Sequence, residues 1–342
     1  MNILFDLNHP AHVHLFKNFI LFLNKKKHNV VVVARNKDMT YELLKYYNID
    51  YVPLSNPGNG ILGAMLELVI KTINIYILNS KYKFNMAFGT SPSIAILSKL
   101  DGVKSMNFNE DDDDVVPLYA YITFPFTTKI INPEVVRYNK WRKKRILYPS
   151  YQELAYLHPK NFKPNKEILN KYNLTKGKYV IARFSGLKAY HDIGKKGISN
   201  NLWEKIKILC KDYKIITSRE NEHQHLIEPW DMHHIISFAK LVISDSQTVT
   251  AEAAVLGVPS VRYNSFVGRI SYLEELEHKY NLTFGYKPGE DEIMLKKISK
   301  LIGHRNIHEE WQSRKNYMLS QKIDFNEWMI HYFNNYINVY YK

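Results

Sequence analysis

The sequence predicts an α/β protein built from two doubly wound domains in tandem. Short β-branched runs alternate with helical patterns in both halves of the chain. One basic, proline-bearing stretch from Arg137 to Pro164 interrupts that rhythm. The length of 342 residues also exceeds one ordinary domain of roughly 150 residues.

In the first half, strands are expected at Asn2–Asp6, Asn29–Ala34, Asp50–Pro53, Phe84–Phe88, Lys104–Asn107 and Lys129–Asn132. Helices are expected between them at His12–Lys26, Lys37–Tyr47, Leu62–Leu78 and Ser91–Leu100. This order of βαβ units implies a parallel sheet covered on both faces. The second half alternates strand Tyr179–Phe184, helix Asn201–Lys211, strand Lys214–Ser218, helix Met232–Ala239, strand Leu241–Ser244, helix Thr248–Leu256 and strand Ser260–Tyr263. Two helices close the chain, Ile307–Ser320 and Phe325–Tyr340. The last is rich in Tyr, Phe and Ile and is expected to dock on another surface. The domains are therefore placed at 1–164 and 165–322, with a C-terminal helix at 323–342 packing back on the first domain.

A hydrophobic fraction of 45% suffices for real cores and excludes a disordered chain. The single cysteine, Cys210, excludes internal disulfides and cysteine-based zinc sites. Its apolar neighbours Ile208 and Leu209 mark it as a buried thiol, which suits a reducing, cytoplasmic compartment. Residues Asn2–Asp6 read as a strand rather than a leader. The apolar run Ile61–Leu78 is interrupted by Glu67, Lys71 and Asn74, so it reads as an amphipathic surface helix instead of a transmembrane span.

The formal net charge of +14 calls for an anionic partner. Its densest cluster, Arg137 to Arg145 around Trp141, reads either as a solvated loop or as a patch for an anionic membrane surface at the inner face of the cell membrane. No helix-turn-helix spacing, zinc ligand set or RNA-binding aromatic pattern accompanies it, so nucleic acid is set aside.

In tandem doubly wound domains, ligands bind at the carboxyl ends of the strands, which here implies a cleft between the domains. The loop after the first strand holds His9, His12 and His14. No carboxylate stands at ligand spacing to them, so a metal is not required. A neutral His12 suits a general base on a sugar hydroxyl, with His9 and His14 on the acceptor side. Thr90 and Ser91 open another helix, where Ser91 reads as the cap and Pro92 as the first helical residue. Glu110 begins an acidic run continuing through Asp111–Asp114, read as a solvated loop or a cation site. Glu110 and Asp111, nearest the strand end, are its candidate catalytic acids.

In the second half, Arg183, Ser185 and Gly186 follow a strand and combine charge with close backbone approach, as phosphate oxygens require. The run Ser244-Asp245-Ser246-Gln247-Thr248 follows the apolar Leu241-Val242-Ile243 and leads into a helix ending at Gly257. Ser246 is the expected N-cap. A helix start of this kind offers N–H groups to a phosphate. Glu252 lies one turn beyond Thr248, within reach of an attached ribose. Arg262, inside an apolar strand, needs either a protein carboxylate or a ligand phosphate.

Ser244-Asp245-Ser246 with Glu252, Gly257 and Pro259 resembles the nucleotide-binding stretch of the UDP-N-acetylglucosamine 2-epimerases and of GT-B glycosyltransferases, among them the lipid-II-forming N-acetylglucosaminyl transferases. In the epimerases two glycines follow the serine; here Gln247 and Thr248 stand there. Glu252 falls where those families place the ribose-binding glutamate. Ala11-His12-Val13 is similar to the end of the transferases' glycine-rich loop, with Asn8-His9-Pro10 in place of the glycines, while the epimerases' Arg-Pro-Glu signature is absent. Over nearly its whole length, from Asn8–His12 through Tyr156-Leu157-His158-Pro159 to Tyr263–Gly268, the chain resembles an uncharacterised bacterial and archaeal domain family grouped with GT-B glycosyltransferases.

The resemblance implies a GT-B architecture, with two Rossmann-like domains, an interdomain cleft and a crossing C-terminal helix. It implies a glycosyltransferase that uses a nucleotide-sugar donor, a UDP-sugar foremost, with a glycan or lipid-linked acceptor in cell-surface polysaccharide or glycolipid synthesis. Arg183, Ser246, Gln247 and Thr248 would bind the donor, and no permanent cofactor is implied. A UDP-sugar 2-epimerase or hydrolase is the second reading. A non-catalytic nucleotide-sugar-binding or membrane-associated protein is the third.

Overall fold

The computed structural model describes residues 1–56, 58, 60–184, 198–219 and 226–340. The chain divides into two compact units, Met1–Tyr156 with Ile323–Lys342, and Leu157–Lys322. The division falls at Tyr156, inside the proline-bearing stretch Arg137–Pro164 and ahead of the boundary expected at 164.

Unit 1 carries strands β1 (Asn2–Leu7), β2 (Asn29–Arg35), β3 (Val52–Ser55), β4 (Met86–Gly89), β5 (Lys104–Phe108), β6 (Lys129–Pro133) and β7 (Arg145–Tyr148). Its first helices are α1 (Pro10–Lys25), α2 (Thr40–Tyr46), α3 (Gly60–Tyr82), α4 (Pro92–Asp101) and α5 (Pro117–Thr123). The strands form one parallel sheet in the order β3-β2-β1-β4-β5-β6-β7. The sequence order reverses between β1 and β4, so the carboxyl ends of these two strands form the topological switch point.

Two cores sandwich this sheet. On one face Phe5 packs on Phe16 and Phe88, and Phe19 meets Phe333. On the other, Leu4, Val33 and Ala87 pack against Ile75 of α3 and Ile94 of α4. Gly89 is required by close approach, since a Cβ there would lie 2.7 Å from the Asp6 carbonyl oxygen.

The basic cluster is only partly a surface feature. Arg145, taken in the sequence as the end of a basic loop, opens β7 and is buried. Its guanidinium reaches Asn132 at 2.7 Å and both carboxylate oxygens of Asp113 at 2.7 and 2.5 Å. Asp112 is buried too and accepts from the Arg137 backbone N–H. The acidic run is therefore neither a solvated loop nor a cation site as a whole, because Asp112 and Asp113 satisfy the basic residues that follow them. The sequence reading missed β7 because its Arg-Ile-Leu-Tyr continues a charged segment with no break.

Unit 2 comprises α6 (Ile168–Lys171), β8 (Tyr179–Phe184), α7 (Asn200–Leu209), β9 (Lys214–Arg219), α8 (Met232–Ser237), β10 (Leu241–Ser244), α9 (Gln247–Leu256), β11 (Ser260–Tyr263), α10 (Ser271–Glu274), β12 (Thr283–Tyr286), α11 (Asp291–Gly303) and α12 (Ile307–Leu319). Its parallel sheet runs β12-β11-β10-β8-β9, with the switch point between β8 and β10. Cys210 is buried beside α7, and burial pushes its thiol up to about 11. The short edge strand β12 and helix α11 escaped the sequence reading; Thr-Phe-Gly-Tyr offers little strand pattern.

The final helix α13 (Phe325–Tyr340) belongs to unit 1. It delivers Phe333 to the aromatic core, and it stacks Phe325 on Tyr148 at 3.8 Å between ring centroids. Within α3, Leu62–Tyr82 is long and apolar enough to cross a membrane, with mean hydropathy 1.4 and only 17% of the window buried.

Candidate functional site

The switch point of unit 1 is furnished by three loops that follow neighbouring parallel strands. The loop after β1 supplies Asn8, His9 and His12, the end of β4 supplies Thr90 and Ser91, and the loop after β5 supplies Glu110 and Asp111. Between them lies a cavity of about 210 Å³ lined by His12, Thr90, Glu110, Asp111, Tyr119 and Gln152, among others. That is below the roughly 300–1,000 Å³ of a pocket for a whole drug-sized ligand, so it fits a hydroxyl-bearing fragment rather than an entire nucleotide.

A buried ion pair ties two of these loops together. Lys71 of α3 places its Nζ 2.6 Å from an Asp6 carboxylate oxygen, and both side chains are almost fully buried. The same ammonium donates to Asn8 Oδ1, and Ser91 Oγ donates to the other Asp6 oxygen. Ser91 stands at the N-cap position of α4 as the sequence suggests, but its hydroxyl serves Asp6 instead of capping the helix. Neither Asp6 nor Lys71 was singled out in the sequence. The available signal was a lone cation within the apolar run 61–78.

His12 sits at the first turn of α1. Its Nδ1 accepts from the Asn8 backbone N–H at 3.2 Å, and Thr90 Oγ1 lies 3.1 Å from Nδ1 and 3.0 Å from Nε2. Burial, with His9, Lys71 and Lys37 nearby, holds its pKa well below the ordinary range, so the ring is neutral at neutral pH. A neutral imidazole at the cavity wall has one donor and one acceptor nitrogen, and the contacts of the two nitrogens set which is which.

Asp111 takes the opposite shift. Burial and the neighbouring Asp112 charge push its carboxyl up to about 6. Beside it, burial also raises the Tyr119 hydroxyl. A neutral imidazole and a carboxyl titrating at about 6 thus line one cavity, a pairing suited to moving a proton.

The other two histidines have different positions. His9 is the N-cap of α1, accepting from the Ala11 N–H, and lies 4.0 Å from Asp38. His14, expected on the acceptor side, is buried and stacks on Tyr156 at 5.3 Å. It lies two residues, or about 200° of helix rotation, from His12 and faces the core instead of the cavity.

In unit 2 the switch point is built mostly from backbone and hydroxyl groups. Ser244 Oγ donates to the Arg183 carbonyl at 2.6 Å and accepts from the Ser246 N–H at 2.9 Å, tying the ends of β8 and β10 together. Ser246 caps α9, accepting from the Val249 N–H. The first-turn N–H groups of Gln247 and Thr248 have no intrahelical acceptor, which leaves them aimed beyond the helix start. Gly257 ends α9 in the left-handed region, φ +73°. Ser185 and Gly186 lie outside the described residues.

Two charged residues assigned to the donor from the sequence turn out to have protein partners. Glu252 is buried and meets His233 Nε2 of α8 at 2.9 Å. Arg262 is 1% exposed and faces Glu274 at 3.4 Å, which decides its partner in favour of a protein carboxylate. Burial lowers the Arg262 pKa. A side chain so enclosed does not reach a ligand at the sheet edge, so Arg262 is dropped from the donor set. Among the described residues no three His, Cys, Asp or Glu side chains converge as a metal set.

Solved structures share this fold. Methanocaldococcus jannaschii UDP-GlcNAc 2-epimerase, in complex with UDP-GlcNAc and UDP, superposes with a TM-score of 0.69 at 13% identity, over 89% of this chain and 94% of that one. S. aureus MnaA, solved with UDP, gives 0.69 at 13% identity over 100% and 98%. The spinosyn forosaminyltransferase SpnP gives 0.64 at 11% identity over 99% of each chain. With its two parallel-sheet Rossmann-like units, the chain has the GT-B fold class shared by these epimerases and glycosyltransferases. No curated protein matches the sequence. Residues 1–271 match the model of a family described as "Protein of unknown function (DUF354)", and the chain belongs to that family.

Proposed function

We propose that the protein is a nucleotide-sugar-dependent glycosyltransferase, acting in the cytoplasm on a glycan or lipid-linked acceptor of cell-surface polysaccharide or glycolipid synthesis. The observation that carries the reading is the cavity at the unit 1 switch point, where His12, Thr90, Glu110 and Asp111 meet and Asp111 titrates at about 6. Unit 2 would hold the donor, a UDP-sugar foremost, with its diphosphate on the N–H groups of Gln247 and Thr248 and near Arg183.

In the transfer step the Asp111 carboxylate takes the proton of an acceptor hydroxyl. The freed oxygen bonds to the anomeric carbon. The bond from that carbon to the diphosphate oxygen breaks, and the nucleoside diphosphate leaves with the electron pair. His12 and Thr90 orient the acceptor oxygen from the cavity wall. Within unit 2 the helix start of α9 would hold the negative charge of the diphosphate. Glu252 reaches the ribose only from its bond with His233, so its role is to be tested together with that residue.

A second reading, a UDP-sugar 2-epimerase or hydrolase, draws support from two adjacent carboxyl groups, Glu110 and Asp111, lining one cavity. Incubation with UDP-sugars alone and with glycan or polyprenyl-linked acceptors separates the two. Transfer predicts UDP release only when acceptor is present. Rapid conversion of the sugar nucleotide without acceptor would sink the transferase reading and leave the epimerase or hydrolase.

A further inference from the structure

Helix α3 is apolar on two faces: Ile75 enters the core while a second apolar stripe faces outward. A surface helix ordinarily turns its apolar stripe to the core and its charges to water. In α3 the two charges between Leu62 and Ile77 face inward. Glu67 is held by Arg35 at 2.6 and 2.7 Å and by Ser55 at 2.9 Å, and Lys71 is buried on Asp6. The outward face repeats large apolar residues at helical spacing, Leu62, Leu66, Val69, Ile73 and Ile77, with exposures of 82%, 61%, 55%, 52% and 61%. That face runs about 22 Å along the helix axis. Contiguous apolar exposure on this scale marks a docking surface.

The layer continues beside it. Helix α4 packs against α3, and α5 against α4. They add Leu100, Leu118 and Tyr121, all exposed. The charges around this layer are mainly basic. Lys81, Lys83 and Lys99 are exposed at the ends of α3 and α4. Lys140 hydrogen-bonds the Tyr121 hydroxyl at 2.8 Å, and Arg142 and Lys143 follow it, exposed. The nearby Asp101 is held by Asn79 at 2.7 Å.

We infer that this face docks in the plane of an anionic lipid bilayer, with the α3 stripe in the acyl boundary and the lysines and arginines at the headgroups. The charge selects this occupant. Two copies meeting face to face would bring basic rims of the same sign together, whereas an anionic bilayer neutralises them. The ion pairs select the in-plane pose. For α3 to span, Glu67 and Lys71 would have to leave Arg35 and Asp6 and enter hydrocarbon. The helix that meets the bilayer also carries Lys71, which bonds Asp6 and Asn8, and Asn8 in turn donates to His12 of the candidate site. The inference stands apart from the transferase reading, because vesicle binding needs no donor.

The test is co-sedimentation of the full chain with vesicles of phosphatidylcholine alone or mixed with phosphatidylglycerol, at low and high salt. The expected result is binding to the mixed vesicles, reduced by salt and by about tenfold or more in Val69→Ser/Ile73→Ser and in Lys140→Glu/Arg142→Glu/Lys143→Glu. Both variants change exposed side chains and should keep the wild-type melting temperature. Failure of wild type to bind the mixed vesicles, or wild-type binding by the serine variant, would overturn the docking. So would a dimer in light scattering that the serine variant dissolves, or retention in membranes after alkaline carbonate extraction. Thermal shift by UDP on the same samples reads the nucleotide site separately.

Discussion

At the ends of β1 and β4, unit 1 gathers titratable side chains: a buried Asp6–Lys71 pair, a neutral His12 and a carboxyl raised to about 6 at Asp111. At the ends of β8 and β10, unit 2 gathers N–H groups and hydroxyls around Ser244 and Ser246. Both are switch points of a parallel sheet. The topology thus supplies a place for a ligand twice, and the residues in the following loops decide its chemistry. A site rich in perturbed acids and bases suits proton movement, while a helix start backed by hydroxyls suits an anion.

The largest expected effect breaks the unit 1 side of this contrast. Lys71→Met leaves Asp6 buried without its cation and should cost about 3–5 kcal/mol of unfolding free energy, read by urea denaturation. Adding Asp6→Asn should recover much of that loss; a double variant as unstable as the single would show that packing around Lys71, rather than charge, is what matters.

Asp111→Asn tests the proton chemistry. If Asp111 is the base, turnover should fall by about 10²–10⁴-fold with UDP binding unchanged. The wild-type rate should rise with pH through about 6, and the variant should lack that limb. Stability should move the other way. The folded carboxyl titrates at about 6 against an ordinary 3.8, so between those values the native state holds a proton that the unfolded chain has released. Stability from this group is present below 3.8 and declines as pH rises to 6. Asparagine has no charge to bury, so at pH above 7 the variant should be more stable by about 1–3 kcal/mol, the lower figure allowing for partial exposure. A variant less stable than wild type at that pH would contradict the raised pKa.

On the unit 2 side, Glu252→Gln should weaken UDP binding by about tenfold if the carboxylate serves the ribose. If Glu252 serves only His233, then Glu252→Gln and His233→Ala should lower the melting temperature while leaving titrated UDP affinity as in wild type. The smallest effect is expected from Ser246→Ala, about 1 kcal/mol of stability from the lost cap, with a modest loss of UDP affinity.

Several features were legible because they are local. The N-cap at Ser246, the stop at Gly257 and the proline at the start of α4 follow from dihedral preferences and from orphan N–H groups within a few residues. The position of Glu110 and Asp111 just past a strand marked them as candidates, and both line the unit 1 cavity. His14 was expected on the acceptor side although the expected helix His12–Lys26 already contained it; α1 starts two residues earlier, at Pro10, and its rotation turns His14 to the core. Tyr119 and Gln152 carried no local signal, and they reach the cavity through α5 and the segment after β7.

The sequence by itself determined the alternation of strands and helices, the two-unit α/β class and the loops that carry polar groups, since periodicity, capping and turn chemistry act over a few residues. Only the tertiary structure decided the partners: Asp6 with Lys71, Glu252 with His233, Arg262 with Glu274 and Asp113 with Arg145. The physical reason is that a charge removed from water must find its complement wherever the fold brings one near. In α3 that requirement turned both charges inward and left an apolar face of the helix to the outside.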